Sequence, residues 1–250
     1  MILIEPGQES ASLVTSEVTP IAVLRSLGAI DNVDAYALVK NRRCLFVEGT
    51  GDVSILGRFA ATLGIHAFTG DDRVVTVPVG GADRFEHVQQ LDVFEALLGA
   101  PLQTLELRDR DGQLPTYRQG AMDASNRDLH IFELDSIESY LINVPVLARV
   151  VAGILEERGR SEPAPAEADL AELISAAAED LRQSAEDRLA ERYSRDAWHH
   201  DNERVSIPAA NERARAHLED NWSGLESQLT VLPGKRLLSA IRKRFRTALA

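Results

Sequence analysis

Four short apolar runs, at residues 44–47, 74–79, 102–107 and 129–134, carry their hydrophobic side chains without strict alternation. A strand with one wet face alternates apolar and polar residues, whereas runs of this kind suit a parallel sheet covered on both faces. Parallel strands need crossover connections, and the intervening sequence supplies them. Between the first two runs Val53, Leu56, Phe59, Ala60 and Leu63 recur at helical spacing, and Gly64 provides a stop. A second helix is expected after Gly80 and Gly81, with Phe85, Val88, Leu91 and Phe94 on its apolar side. Alternating strands and helices imply right-handed βαβ crossovers and a layered, Rossmann-like α/β domain, placed at residues 41–150. Residues 1–40 are set apart as a linker-like segment in which 1–4 fit a strand and 19–27 a helix.

Beyond this domain the pattern changes to helices. Residues 161–166 (Ser-Glu-Pro-Ala-Pro-Ala) have the composition of a linker, and residues 151–250 are read as a helical region. Leu170, Leu173, Ile174, Ala177, Leu181 and Leu189 form one apolar stripe. Pro208 suits the first turn of a further helix, with Ala214, Leu218, Trp222, Leu225 and Leu229 on its face and a break at Pro233-Gly234. A last helix from Lys235 turns Leu237, Leu238, Ile241, Phe245 and Leu249 inward. Apolar stripes can pair across subunits, so a homo-oligomer is among the expected assemblies.

Charge and composition exclude several classes of function. Thirty-nine acidic against 27 basic residues give a net charge of −12, which argues against an indiscriminate polyanion binder. The imbalance reverses at the end, where residues 231–250 hold six basic and no acidic side chains. That basic segment has two readings: phosphate contact, or docking onto the acidic helices of residues 151–230. No apolar run approaches the roughly 20 residues of a membrane-spanning helix. The first ten residues lack the basic start and apolar core of a signal peptide. A single cysteine, Cys44, excludes a disulfide framework and a Cys-based zinc cluster. A cytoplasmic protein without a membrane partner is expected.

The chemistry-bearing residues stand at the ends of the predicted strands. Glu48-Gly-Thr-Gly-Asp52 follows the first strand and Asp109-Arg-Asp111 the third, while Glu138 comes after the fourth, early in a helix with Ile137, Tyr140 and Leu141. Each has a plain reading when taken alone. Asp52 suits a helix cap, Asp109 and Asp111 suit loop acids paired with Arg108 and Arg110, and Glu138 suits a first-turn acid facing the helix dipole. Topology shifts the balance, because the carboxyl ends of parallel strands share one edge. Five carboxylates gathered there repel one another unless a cation intervenes. Asp109 and Asp111, two apart in an extended segment, would point the same way. Hard oxygen ligands of this sort suit Mg²⁺ or Mn²⁺. Other candidates rank lower: Trp198-His199-His200-Asp201 fits a solvated turn better than a zinc site, and Cys44 fits inert core better than a nucleophile.

Glu48-Gly-x-x-Asp52, the Gly80-Gly81 turn and Asp109-x-Asp111, in that order, resemble a TOPRIM domain, the metal-binding module of topoisomerases, bacterial primases and several nucleases. Ile137-Glu-Ser-Tyr-Leu141 and Leu232-Pro-Gly-Lys235 are similar to one branch of it, the OLD (overcoming lysogenization defect) family of ATP-dependent endonucleases. The resemblance is tight over residues 44–145 and loose in the helical region. In that family an ABC-type ATPase domain precedes the TOPRIM module, and residues 1–40, including 24–28, resemble the join. The chain has no G-x-x-x-x-G-K-[ST] phosphate loop. The ATPase is therefore expected in a separate chain or in a preceding part of a longer protein.

The resemblance and the residues together imply a metal-dependent endonuclease or nickase that hydrolyses DNA phosphodiester bonds, with two cations about 4 Å apart. Glu48, Asp52, Asp109 and Asp111 would form the metal shell, and Glu138 would complete the second position. Glu48 has an alternative role as general base. Lys235, matching the family's late lysine, would offset charge developing in the transition state; its plain reading is a lysine at the start of a surface helix. The family implies a role in anti-phage defence. Two other readings stay open: a catalytically silent TOPRIM effector or regulatory module held by an ATPase, and an RNA-cleaving TOPRIM enzyme. The acidic balance predicts weak nucleic-acid binding by this chain alone.

Overall fold

A computed structural model describes residues 2–3, 12–13, 32–80, 95, 99–125, 128–159, 163–201 and 204–248. The fold is α/β: a four-stranded, all-parallel sheet flanked by helices and followed by a helical C-terminal region. Two compact units divide the chain, one of residues 1–108 with 126–130 and one of residues 109–125 with 131–250.

In the first unit a short antiparallel pair, β1 (Ile2–Leu3) and β2 (Ser12–Leu13), precedes helix α1 (Asn32–Asn41). The sheet then builds from β3 (Arg43–Val47), β4 (Val75–Pro78), β5 (Gln103–Arg108) and β6 (Asp128–Ile131), in the order β4-β3-β5-β6. The four strands fall on the four apolar runs. β3 is central, with Cys44 in register with Val75 on one side and Thr104 on the other. Cys44, Leu45, Phe46 and Val47 are all buried there, as a strand covered on both faces requires.

Helix α2 (Thr50–Thr62) makes the crossover from β3 to β4. It stops where the sequence predicts. Gly64 takes a φ of +67°, and Ile65 N reaches back to the Ala60 carbonyl at 2.8 Å, a termination that needs left-handed backbone at the glycine. A 3₁₀ turn, His66–Phe68, follows. The approach to β4 is pinned by Asn41, whose side-chain amide donates to the Asp71 and Arg73 carbonyls, and by Arg73, paired with Asp34 at 2.8 Å. The helix expected after Gly81 and the one expected at residues 19–27 lie outside the described residues.

The second unit holds helices α3 (Pro115–Ala124), α4 (Val144–Glu157), α5 (Glu167–Glu179), α6 (Arg182–Asp201), α7 (Ile207–Asp220), α8 (Leu225–Gln228) and α9 (Gly234–Ala248). Small residues let these helices approach closely, and Ala177, Ala178, Ala185, Ala210 and Ala214 interleave with Ile174, Leu189, Leu218 and Leu237 in one core. Caps set their starts: the Asn143 side chain accepts from Val146 N at 3.1 Å, and Ser206 Oγ accepts from Ala209 N at 3.4 Å. Pro208 lies in the first turn of α7, as its missing N–H favours.

Four details differ from expectation. The stripe from Leu170 to Leu189 is two helices, broken at Asp180 and Leu181. The helix opened near Pro208 ends at Asp220, so Leu225 and Leu229 belong to α8 and its C-cap. Glu138 sits in a single 3₁₀ turn, Ile137–Leu141, instead of the first turn of an α-helix, and Tyr140 points outward. The segment Trp198–Asp201 is the end of α6 and not a turn. Among the described residues no helix is long and apolar enough to cross a membrane.

Candidate metal and catalytic site

In the first unit Glu48 directly follows β3, half-buried, and its carbonyl accepts from Gly80 N at 2.9 Å. The next turn is tied by Asp52, whose Oδ2 accepts from Gly49 N at 2.8 Å. Asp52 therefore performs the capping role that its place at the start of α2 suggests. Capping does not use it up. Asp52 is 6% exposed, and its Oδ1 is buried with no hydrogen-bond partner. β5 contributes a residue that the apolar pattern concealed: Glu106 is 6% exposed and paired with Arg108. In the parallel register Glu106 lies opposite Phe46.

The chain enters the second unit between Arg108 and Asp109. Asp109 Oδ1 accepts from Ile137 N at 3.1 Å, which sets it against the start of the 3₁₀ turn. The extended geometry that would aim Asp109 and Asp111 alike ends at Asp111, where φ is +52°. Asp111 turns toward α6, its carbonyl accepting from Arg192 Nε at 2.8 Å and its carboxylate lying 3.9 Å from the same guanidinium. Arg108 holds Glu106, and Arg110 donates to the Gln113 and Glu133 carbonyls.

Glu138, 6% exposed, is one residue beyond Asp109's backbone partner. Its Oε1 meets Lys235 Nζ at 3.1 Å, and its Oε2 is buried without a hydrogen-bond partner. Lys235 reaches it because Gly234 packs its backbone against the 3₁₀ turn. A Cβ at Gly234 would stand 2.5 Å from Ser139 N and 2.8 Å from the Ser136 and Ser139 hydroxyls. The Pro-Gly-Lys sequence thus has a steric meaning: only glycine fits ahead of the lysine. Asp109, Glu138 and Lys235 are brought together around one turn.

Sequence reasoning missed the support beneath them. Asp135, 1% exposed, is gripped by both terminal nitrogens of Arg188, which also donates to the Val231 carbonyl at 2.6 Å. Burial pushes the Asp135 carboxyl above its ordinary value, and the facing Arg188 works against that rise. Asp135 follows Leu134 directly and was legible as a strand-end acid; Arg188, far along the chain, was not. Cys44 is 3% exposed, with burial pushing its thiol up to about 12, as an inert core position requires.

Carboxylate oxygens are apt donors for a divalent cation, and each unit holds one suited to that role. Two carboxylates each have one oxygen fixed by the protein and one buried oxygen unpartnered, Asp52 Oδ1 and Glu138 Oε2. Among the described residues no three His, Cys, Asp or Glu side chains form a group that could hold a metal ion. The basic helix α9 docks within the chain: Arg244 grips Asp180 and Arg236 donates to Ser184. No family model, curated protein or solved structure matches this chain.

Proposed function

We propose that this chain is a divalent-metal-dependent endonuclease or nickase of the TOPRIM type, hydrolysing DNA phosphodiester bonds within an ATPase-linked anti-phage system of the OLD kind. One observation carries the reading: Asp52 Oδ1 and Glu138 Oε2 are carboxylate oxygens taken out of water and given no protein donor. Leaving such an oxygen unsatisfied costs more than the roughly 1–3 kcal/mol of a neutral group, and a hard cation is the partner that carboxylates best accept. Glu48 and Asp52 in the first unit, and Asp109, Asp111 and Glu138 in the second, are the carboxylates that would serve as ligands to Mg²⁺ or Mn²⁺. When bound, a pair of such ions supplies an activated water and relief of charge on the phosphoryl oxygens.

The chain's own residues do the remainder. Asp52 fixes the turn after Glu48, keeping the Glu48 carboxylate at the strand end, where it also suits a general base. Lys235 opposes the Glu138 charge at rest and would oppose charge on a departing oxygen. A second reading is a non-cutting module held by an ATPase partner.

Nicking of supercoiled plasmid by the purified chain separates these readings, run with Mg²⁺, Mn²⁺, Ca²⁺ or EDTA beside Glu48→Ala and Asp109→Ala. Metal-dependent cutting lost in both variants is the expected result. If neither plasmid nor a structured RNA is cut while Mn²⁺ still binds by calorimetry, the silent-module reading takes over. Cutting of the RNA alone changes the substrate to RNA. Absence of Mn²⁺ binding refutes the metal site.

A further inference from the structure

We infer that the buried Asp135–Arg188 pair is a positioning clamp that holds the segments bearing Asp109, Glu138 and Lys235 in one register; this rests on the metal-site reading above. Three separate stretches of chain meet at Asp135. Its carbonyl accepts from Asp111 N at 3.0 Å, and its own N–H donates to the Leu229 carbonyl at 2.9 Å. Its carboxylate takes both ends of the Arg188 guanidinium, which passes on to the Val231 carbonyl. The same guanidinium lies against Gly112, where an added Cβ would stand 3.5 Å away. One turn further along α6, Arg192 bonds the Asp111 carbonyl at 2.8 Å. Helix α6 therefore presents two arginines, one turn apart, to the Asp109–Gly112 turn.

Stability does not demand this arrangement. A buried ion pair is often no better than an apolar pair of similar volume, because desolvation offsets the attraction. The pair does what an apolar pair cannot: it fixes direction. A guanidinium offers several donors in a planar fork, and here that fork spans a carboxylate and a carbonyl from segments 96 positions apart, Asp135 and Val231. Constellations of charged groups act only when held within about 0.5 Å of their working geometry. Asp135 and Arg188 touch neither metal nor substrate on this reading; they act through the backbone of Asp111 and the approach to Lys235.

The test uses the whole chain and three variants: Arg188→Lys, Arg188→Met, and Asp135→Asn combined with Arg188→Met. Each is followed by thermal unfolding, by amide hydrogen exchange of peptides covering residues 109–114 and 229–237, and by Mn²⁺ calorimetry. The double variant, which leaves no unpaired charge, is expected to melt within a few degrees of wild type. Its exchange over both peptides should nonetheless rise about tenfold, and its Mn²⁺ affinity should fall about 10- to 100-fold, the range for outer-shell partners of a metal site. Arg188→Lys, keeping charge without the fork, should rescue melting more than exchange. Unchanged exchange in a stably folded double variant overturns the clamp. Should the double variant not fold, Arg188→Lys decides: exchange and affinity equal to wild type overturn the proposal, and loss of both at retained melting supports it. Exchange needs no metal, so a chain that binds no Mn²⁺ sinks the nuclease reading while the clamp is still judged.

Discussion

A single methyl group measures how tightly the start of α9 is seated. At Gly234 an added Cβ would fall 2.5 Å from Ser139 N, a backbone atom that cannot swing aside. Overpacking of this kind costs about 1–3 kcal/mol, so Gly234→Ala should lower urea stability by that amount and loosen the Lys235–Glu138 contact. Gly120, exposed within α3 with nothing within 4 Å of an added Cβ, is the control. Gly120→Ala should stabilise by about 0.5–1 kcal/mol, because alanine loses less backbone freedom in a helix. Equal effects at the two glycines would remove the steric account of the Pro-Gly-Lys sequence. His217 gives a pH-dependent signature at the same scale. Burial, then the Arg110 charge, lowers its pKa below the ordinary 6.5, and its Nδ1 lies 3.2 Å from the Tyr193 hydroxyl. The unfolded chain therefore binds the proton more readily, so the stability held above pH 6.5 should drain away as pH falls below it. In His217→Gln that part of the pH dependence should disappear from urea midpoints measured between pH 7.5 and 5.

The break between α5 and α6 is a tertiary device. Glu179 accepts from Trp222 Nε1 at 2.9 Å, the Arg182 guanidinium lies 5.2 Å over the same indole, and Asp180 is held by Arg244. One tryptophan thus touches the last turn of one helix and the first of the next. Trp222→Ala should cost about 2–3 kcal/mol, short of the full cost of a core tryptophan because the ring is half-buried. Trp222→Phe, which keeps the ring and loses the N–H, should cost no more than about 1.5 kcal/mol; a urea series on the three proteins reads the split. The contacts also explain what periodicity could not reveal. Leu170, Ile174, Ala177, Leu181 and Leu189 share one spacing because α5 and α6 face the same core, and neither Gly nor Pro marks the turn between them. The strands of the sheet were legible for the opposite reason, since burial on both faces wrote itself as apolar runs. α3 was invisible: its Tyr-Arg-Gln-Gly sequence carries no apolar stripe, and only Pro115 signals its start. Within the site, the acids could be found from their place at strand ends, and Asp52 caps α2 from its third position, its carboxylate accepting from the N-cap Gly49. The supporting Arg188 could not, because its partner is 53 positions away and its helix reads as ordinary.

For the molecule as a whole, charge decides how it can meet a polyanion. A net charge of −12 opposes DNA at long range, and α9, the strongly basic element among the described residues, already uses part of its charge inside the chain. Lys235 faces Glu138 and Arg244 faces Asp180. Lys235, Arg236, Arg242 and Lys243 are exposed among the helix's described side chains, and contact through Arg236, Arg242 and Lys243, with the Lys235 and Arg244 pairs kept closed, would neutralise about three phosphates. Each neutralised phosphate adds about −0.9 to the slope of log affinity against log salt on duplex DNA. The isolated chain should therefore bind a short duplex weakly, with a slope no steeper than about −3, by fluorescence anisotropy in EDTA between 50 and 200 mM salt. Arg242→Ser with Lys243→Ser should flatten that slope by about 2 and weaken all sequences alike, as phosphate contacts do. A slope steeper than about −5 in the unaltered chain would mean that a different basic surface meets the DNA, or that the α9 pairs open on binding. A slope near zero with detectable binding would remove phosphate contact from α9 altogether and leave docking within the chain as the helix's one role. The predicted shallow slope also bears on the proposed ATPase partner. On the nuclease reading proposed above, a partner that grips the duplex should raise the nicking rate without altering its dependence on metal.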